Sequence, residues 1–237
     1  MRHINANKMK PFHSYKNPSL AIDLLVFGYH ENSLSVLLLN RNEDPFKNTW
    51  TLPGGFLQME ETFQATCSRV LQTKLGLSNL YLEQLYSFDD PARDPRGRVI
   101  SIAYFALINP KKFEIVAGSM ANDVKWFDVN KLPKLGFDHD SIFEKGLQRL
   151  KSKILYYPVG FELLDDLFTL PELHQLYECI LGISIDRRNF RRKILDAEYI
   201  VSTGKKREGL QNRHPDLYKF NKKLKPNTFQ LNINNAL

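Results

Sequence analysis

The stretch that decides the fold runs from Gly55 to Leu77 and reads GFLQMEETFQATCSRVLQTKLGL. The apolar piece 50–52 before it breaks at the turn residues Pro53-Gly54-Gly55, which predicts a strand that ends in a turn. Thr62 has the side chain of a helix N-cap, and neither Pro nor Gly occurs between it and Gly76, a residue type that often ends helices. The sequence therefore predicts a strand, a glycine-rich turn and a helix that ends at Gly76.

The spacing within this stretch resembles the Nudix box, in which a glycine, a glutamate, an arginine and further glutamates recur at set distances. The positions that match the motif are Gly55, Glu61, Arg69, Leu71, Gly76 and Leu77. The places of the three remaining glutamates hold Val70, Thr73 and Lys74. The framework of the motif is therefore present without most of its carboxylates.

In Nudix hydrolases, those glutamates hold the Mg²⁺ ions that neutralise a diphosphate and activate the attacking water. Mg²⁺ requires oxygen ligands in near-octahedral geometry, which Val70 does not offer and Thr73 offers weakly. The ammonium of Lys74 at about 6 Å from a divalent ion would cost up to about 5 kcal/mol at an effective dielectric constant near 20. The resemblance therefore predicts a Nudix scaffold that is not an enzyme, with no catalytic residue, metal or other cofactor.

Strand-like and helical patterns alternate along the first two thirds of the chain. The runs at 21–28, 33–40, 80–88, 99–108 and 125–128 predict strands, the first two forming a hairpin, and 141–153 predicts a helix with Asp140 as its cap. The elements do not repeat as regular βαβ units, which favours a mixed sheet between helices. The fold class expected is α/β, the Nudix α/β/α sandwich followed by a small C-terminal winged helix-turn-helix domain.

Short helices in the last third predict the second domain. Thr169 and Gly182 bound one helix, Asp186 caps a second, and a hairpin with a basic tip follows over residues 198–220. The domain organisation expected is a flexible arm at 1–18, a Nudix-like effector-binding domain at 19–155, the winged helix at 156–225 and a tail at 226–237.

Positive charge is concentrated in the second domain. Residues 186–225 contain 13 Lys or Arg and five Asp or Glu, a net charge of +8, whereas the whole chain carries +7. Phe190, Ile194 and Ala197 form an apolar stripe, and Arg188 and Arg192 lie opposite it, as a DNA-recognition helix requires. The predicted DNA-binding residues are Arg187, Arg188, Asn189, Arg191, Arg192, Lys193, Lys205, Lys206 and Arg207. The alternative to DNA binding is a solvent-exposed basic surface that binds no partner.

Composition favours a cytoplasmic protein that does not enter membranes. Residues 1–18 are polar, so no signal peptide is evident, and the longest apolar run, 20–29, is too short to span a bilayer. The two cysteines, Cys67 and Cys179, are far apart and are expected as reduced thiols.

A Nudix domain followed by a winged helix resembles the Nudix-related transcriptional regulators of bacteria. The resemblance rests on the box, on Asp94-Pro95-Arg96-Gly97 and on segments such as Asn189-Phe190-Arg191-Arg192. It implies a homodimer that binds a palindromic operator in double-stranded DNA and releases it when a small effector binds the Nudix domain. One branch of the family senses a sugar such as L-arabinose in carbohydrate metabolism, and another senses ADP-ribose in NAD metabolism.

Because the metal ligands are lost, the sequence favours a neutral sugar over ADP-ribose. The predicted effector-binding residues are Arg41, Lys47, Glu60, Glu61 and Asp138. ADP-ribose stays open, since Lys74 and the arginines at 93, 96 and 98 are able to supply the charge of the metal. The sequence is also compatible with an active Nudix hydrolase that has a displaced metal site, and with an RNA-binding module. Arg69 is expected to pair with Glu61 in a structural role.

Overall fold

The structure, a computed structural model, describes residues 16–113, 115, 118, 121–157, 160–208 and 214–221. The predicted arm at 1–18 lies mostly outside these residues, and the predicted tail at 226–237 lies wholly outside them. Among the helices that are described, none is both long enough and apolar enough to cross a membrane.

A seven-stranded mixed sheet forms the centre of the first domain. Its strands are β1 (Ser19–His30), β2 (Ser33–Arg41), β3 (Trp50–Thr51), β4 (Gly54–Phe56), β5 (Tyr81–Phe88), β6 (Val99–Ile108) and β7 (Ala121–Asp128). The order is β3-β2-β1-β6-β5, with β4 paired to β1 and β7 paired to β2. Only β1 and β6 run parallel among the named strand pairs of the described residues. Because β1 is central, nearly all of its side chains are buried.

Two helices cover the two faces of this sheet. Ile22, Leu24 and Val26 of β1 pack against α1 (Phe63–Leu75), whereas Leu25 and Phe27 face α2 (His139–Lys153). This alternation is the period of two expected of a strand that is buried on both faces. The predicted α/β/α sandwich is therefore confirmed.

The caps of α1 agree with the prediction. The Thr62 side chain accepts a hydrogen bond from the Ala65 amide, and Gly76 ends the helix with a left-handed φ of 69°. The predicted cap of α2 was wrong. The helix begins at His139 after Asp138, and Asp140 instead accepts a hydrogen bond from the Leu135 amide. Asp138 makes no capping hydrogen bond with its side chain, because both of its oxygens accept from Arg93.

The second domain is the predicted winged helix. Its elements are α3 (Gly160–Leu163), α4 (Leu170–Leu181), α5 (Arg187–Asp196) and the antiparallel strands β8 (Ile200–Lys206) and β9 (Asp216–Phe220). Thr169 and Glu172 form a reciprocal capping box at α4, and Asp186 accepts from the Asn189 amide at the start of α5. These local signals explain why the sequence predicted both helices closely.

The two domains are joined by direct contacts. Asn109 Nδ2 donates to Asp165 Oδ1 at 2.7 Å, and Lys112 Nζ lies 2.8 Å from Asp166 Oδ1. The apolar cluster below α2 continues into the side chains of α4 and α5. The β1–β2 hairpin tip and the segment before α4 enclose a small cavity of about 160 Å³. The first domain therefore contacts the winged helix through a hydrogen bond, an ion pair and shared apolar packing.

Candidate functional site

A cavity of about 370 Å³ opens between β1, the turn after β3, α1 and the loop that precedes β6. Among the described residues, the cations that line it are Arg41, Arg69, Lys74, Arg93 and Arg96, and the carboxylates are Asp23, Glu43 and Asp94. Positive side chains therefore outnumber negative ones in a site where one would expect a small effector to bind.

An ion pair between Arg69 and Glu61 links α1 to the segment that precedes it. The Arg69 guanidinium donates to both oxygens of Glu61 and, from Nη2, to the Phe56 carbonyl at 2.9 Å. Thr66 Oγ1 also donates to Glu61 at 2.9 Å. The Arg69 hydrogen bonds lower the pKa of Glu61 to about 2. The predicted structural role of Arg69 is confirmed.

Arg93 is held by two carboxylates beneath the cavity. Its Nη2 lies 2.9 Å from Asp23 Oδ2 and 2.7 Å from Asp138 Oδ1, and its Nε donates to Asp138 Oδ2 at 2.9 Å. Only 4% of the Arg93 side chain is exposed. Arg93 therefore connects the central strand to the start of α2.

Asp23 is the centre of this buried network. Its Oδ2 also accepts from Ser101 Oγ at 2.7 Å, and its Oδ1 lies 3.5 Å from His139 Nε2. Because His139 Nδ1 accepts the Leu52 amide at 2.9 Å, the imidazole proton is on Nε2 and faces Asp23. Burial alone raises the pKa of Asp23, but His139, Arg93 and Ser101 outweigh it and hold the pKa well below its ordinary value. Asp23 is therefore an ionised carboxylate in the cavity wall.

The other two arginines of the loop before β6 differ in position. Arg96 pairs with Asp94 at 2.7 Å, and its guanidinium lies over the Phe56 and Phe137 rings at 5.3 and 5.7 Å from their centroids. Arg98 is exposed and donates to the Asp89 carbonyl at 2.6 Å. Only Arg96 of these two lines the cavity.

The altered box positions have lost the geometry of a metal site. Val70 is fully buried in the apolar cluster against the sheet, and Thr73 Oγ1 donates to the Arg69 carbonyl at 2.7 Å. Lys74 is half-buried and reaches the cavity. Within the described part of the chain, no group of three or more His, Cys, Asp or Glu side chains is arranged to hold a metal ion. The donor set of a Nudix magnesium site is therefore incomplete here.

Lys74 and Arg41 place two cations in the cavity wall. Burial lowers the pKa of Lys74, and the positive charge of Arg41 lowers it further. Arg41 Nε donates to the Pro45 carbonyl at 2.9 Å, whereas its buried Nη2 makes no hydrogen bond with any described residue. Glu43 lies 3.7 Å from this Nη2, beyond hydrogen-bond distance. Arg41 is therefore ion-paired with Glu43 in the cavity wall, whereas its buried Nη2 keeps unused hydrogen-bonding capacity.

The five predicted effector-binding residues are not brought together. Arg41 lines the cavity, but Lys47 and Glu60 are exposed residues outside its wall. Glu61 also lies outside the wall, and its carboxylate accepts hydrogen bonds from Arg69. Asp138 lines a neighbouring open groove of about 520 Å³ and is bound by Arg93. Effector contact by these residues stays a prediction.

Sequence reasoning missed several residues of the cavity wall. Asp23, Phe56, Phe137 and His139 all line it. The signal for Asp23 was available, because it is the one charged residue in an otherwise apolar strand. No local pattern indicated Phe56 and Phe137, which approach the cavity from separate segments.

The exposed face of α5 has the division predicted for a DNA-recognition helix. Phe190 and Ile194 are buried, and the Phe190 ring packs edge-on against Tyr177 with centroids 5.1 Å apart. The side chains of Arg187, Arg188, Arg191 and Arg192 are exposed, and Asn189 and Lys193 are half-buried. Arg192 Nη2 donates to Asn189 Oδ1 at 2.8 Å. DNA contact by these residues stays a prediction.

The three cations predicted to contact DNA from the hairpin tip differ in their surroundings. Lys205 and Lys206 are exposed on β8. Arg207 turns back to α4, where its Nη1 and Nη2 contact the two Glu172 oxygens at 2.6 and 3.0 Å. Glu172, fixed in the capping box, presents its carboxylate to the end of β8. Arg207 therefore forms an ion pair within the winged helix, and DNA contact by these three residues stays a prediction.

Comparison with known proteins identifies both domains. The family described as NUDIX domain matches residues 18–146, and the family described as NrtR DNA-binding winged helix domain matches residues 160–220. The ADPR responsive transcriptional repressor NtrR of Acinetobacter baylyi is 33% identical over 211 residues, which cover 87% of this chain and 83% of that protein.

Two solved structures from Shewanella oneidensis are similar as well. NrtR complexed with a 27mer DNA is 34% identical, with a TM-score of 0.76 over 90% of this chain and 98% of that chain. The NUDIX domain of NrtR complexed with ADP ribose is 32% identical, with a TM-score of 0.53 over 61% of this chain and 95% of that chain. The predicted sugar effector finds no support among these relatives, and ADP-ribose fits them better.

Proposed function

Because this chain belongs to the NrtR family of Nudix-related regulators, we propose that it is a transcriptional repressor whose Nudix domain senses ADP-ribose. In this proposal, the effector binds the cavity beside α1 and thereby weakens the hold of α5 on an operator. The relatives support both parts, since one is named as responsive to ADPR and another was solved with a 27mer DNA.

The observation that carries the choice of effector is the charge of the cavity wall. Its five cations exceed its three carboxylates, and one of those cations, Lys74, makes no hydrogen bond or ion pair with the described residues. ADP-ribose carries a diphosphate, and guanidinium and ammonium groups bind phosphate oxygens by charge-assisted hydrogen bonds. A neutral sugar would leave this excess positive charge uncompensated, so the site favours the diphosphate.

The surface expected to contact DNA is the exposed face of α5 together with Lys205 and Lys206. Four exposed arginines on one short helix supply cations for phosphates and forked donors for guanine edges. Binding should weaken with salt, because each neutralised phosphate contributes about 0.9 to the slope of log K against log salt concentration.

We further propose that the Nudix domain does not hydrolyse its effector. Glu61 is the one carboxylate left from the motif, and Arg69 holds both of its oxygens. The test is incubation of the protein with ADP-ribose and Mg²⁺, with product separation by ion-exchange chromatography. Cleavage that disappears in the Glu61→Gln variant would instead favour an active hydrolase.

The central experiment measures operator binding by the full chain. Binding sites are first selected from a random duplex library, and fluorescence anisotropy then compares the selected duplex with a scrambled one. ADP-ribose should weaken binding to the selected duplex by about 5- to 150-fold, the usual range of allosteric coupling, while L-arabinose should leave it unchanged. Equal affinity for both duplexes, or release by L-arabinose alone, would refute the proposal. Preference for single-stranded RNA would favour an RNA-binding module.

A matched pair of variants identifies the DNA-binding surface. Arg188→Ala removes an exposed arginine of α5, and Lys131→Ala removes an exposed lysine of the first domain. The first should weaken binding to the selected duplex by about 1–3 kcal/mol if Arg188 contacts a base, and the second should not change it. A palindromic selected site would agree with the homodimer we propose, for which light scattering should give twice the chain mass of 27.6 kDa.

A further inference from the structure

We infer that Lys74 takes the place of the divalent metal ion, so that the diphosphate of the effector binds this cavity without Mg²⁺. The inference rests on the proposed function, because it concerns how the same effector is held. It concerns a residue at which this chain departs from the Nudix motif.

Lys74 lies at a position of α1 where the motif has a metal-binding glutamate. Positions 70, 73 and 74 lie within one turn of the helix, where the motif directs its glutamates toward the metal. In this chain, Val70 faces the apolar core and Thr73 is bonded to the Arg69 carbonyl. Lys74 alone of the three lines the cavity. A cation therefore occupies a position at which the motif has a metal ligand.

Each of the other cations of the cavity wall has a carboxylate partner. The pairs are Arg41 with Glu43, Arg69 with Glu61, Arg93 with Asp23 and Asp138, and Arg96 with Asp94. The Lys74 ammonium makes no hydrogen bond or ion pair within the described part of the chain, although Asp23 and Glu43 are near enough to favour its charged form. This ammonium is therefore the cavity charge that is least compensated by the protein.

The charge of the cavity wall matches that of the diphosphate. Its five cations and three carboxylates leave two positive charges, as one Mg²⁺ ion supplies, and a diphosphate diester carries two negative charges. Lys74 presents a compact charge with three donors. The wall, with Lys74 as its unpaired cation, therefore meets the electrostatic requirement of the diphosphate without a metal.

The test is calorimetric titration of the full chain with ADP-ribose, once in EDTA and once in excess Mg²⁺. Wild-type protein should bind with the same affinity in both buffers. Lys74→Met keeps most of the length of the side chain but removes the charge, and it should weaken binding by about 10- to 100-fold in both buffers. Lys74→Arg should retain most of the affinity, and Lys131→Met is the control at an exposed lysine outside the wall.

Lys74→Glu returns the residue that the motif carries at this position. This variant should lose binding in EDTA more severely than Lys74→Met and should recover part of it in Mg²⁺. Wild-type binding that requires Mg²⁺, or an unchanged affinity of Lys74→Met, would overturn the inference and leave the proposed function standing. No binding of ADP-ribose by the wild type in either buffer would overturn the proposed function itself. If Lys74→Met fails to fold, the wild-type comparison and Lys74→Arg still decide.

Discussion

Removal of Arg93 should destabilise the first domain strongly, because two carboxylates would lose their shared partner inside the protein. The Arg93 side chain is 4% exposed, and those of Asp23 and Asp138 are 9% and 20% exposed. Loss of one partner of a buried ion pair typically costs about 3–5 kcal/mol. Because Asp23 keeps Ser101 and His139 as neighbours, we expect Arg93→Met to lower the free energy of unfolding by about 3 kcal/mol.

The same substitution should also change how the stability of the protein depends on pH. In the wild type, the pKa of Asp23 is depressed, so its stabilising contribution is present above the unfolded pKa and is lost as pH falls through the lower folded pKa. In Arg93→Met, burial is opposed less and the folded pKa of Asp23 rises. The stability difference between the wild type and the variant should therefore narrow as pH falls from 7 toward 4, because the less depressed pKa of Asp23 in the variant makes its loss of stability in acid smaller than that of the wild type.

Equilibrium unfolding in urea at pH 7 and pH 4 measures both effects. Arg98→Met is the matched control, since Arg98 lies in the same loop but is exposed, and it should change stability by no more than about 0.5 kcal/mol. The double variant Asp23→Asn with Arg93→Met should be more stable than Arg93→Met alone, because the uncompensated charge is gone. A loss below about 1 kcal/mol for Arg93→Met at pH 7, or no gain in the double variant, would refute the reasoning.

Three further predictions concern the winged helix and the joint between the domains. Replacement of Lys205 and Lys206 by Ala should reduce the salt slope of operator binding by about 2, one for each lost phosphate contact; an unchanged slope in anisotropy titrations at several salt concentrations would contradict this. Thr169→Ala removes one half of the capping box and should lower the unfolding free energy by about 1 kcal/mol, measured by urea unfolding against Thr169→Ser, which keeps the hydroxyl. Asn109→Ala removes the hydrogen bond to Asp165 and should reduce the effect of ADP-ribose on operator affinity while leaving the affinity without effector unchanged; equal release of DNA by wild type and variant would argue against this contact as part of the coupling.

Much of the fold was predictable from the sequence because its signals are local. The N-caps at Thr62, Thr169 and Asp186 bond to amides three residues later, and Gly76 and Gly182 supply the left-handed conformation at helix ends. Such interactions depend on neighbours in the chain, so the residue types reveal them. The apolar periodicity of the strands and of α5 likewise predicted the buried faces.

Long-range pairing explains why the sequence did not reveal the contacts of the arginines. Arg93 reaches Asp23 across 70 positions of sequence, and Arg207 reaches Glu172 across 35, so no local pattern indicates which arginine is engaged. The sequence also favoured a sugar effector because it revealed the missing metal ligands but not the cations that the fold gathers around the cavity.

The sequence by itself determined the two domains, most of the helix caps, the loss of the Nudix glutamates and the basic helix α5, since each depends on residue type and short spacing. Only the tertiary structure decided the charge of the cavity, the engagement of Arg93 and Arg207, and the exposure of Lys74 to the cavity. The physical reason is that electrostatic interaction depends on distance in space, and the order of the strands sets those distances.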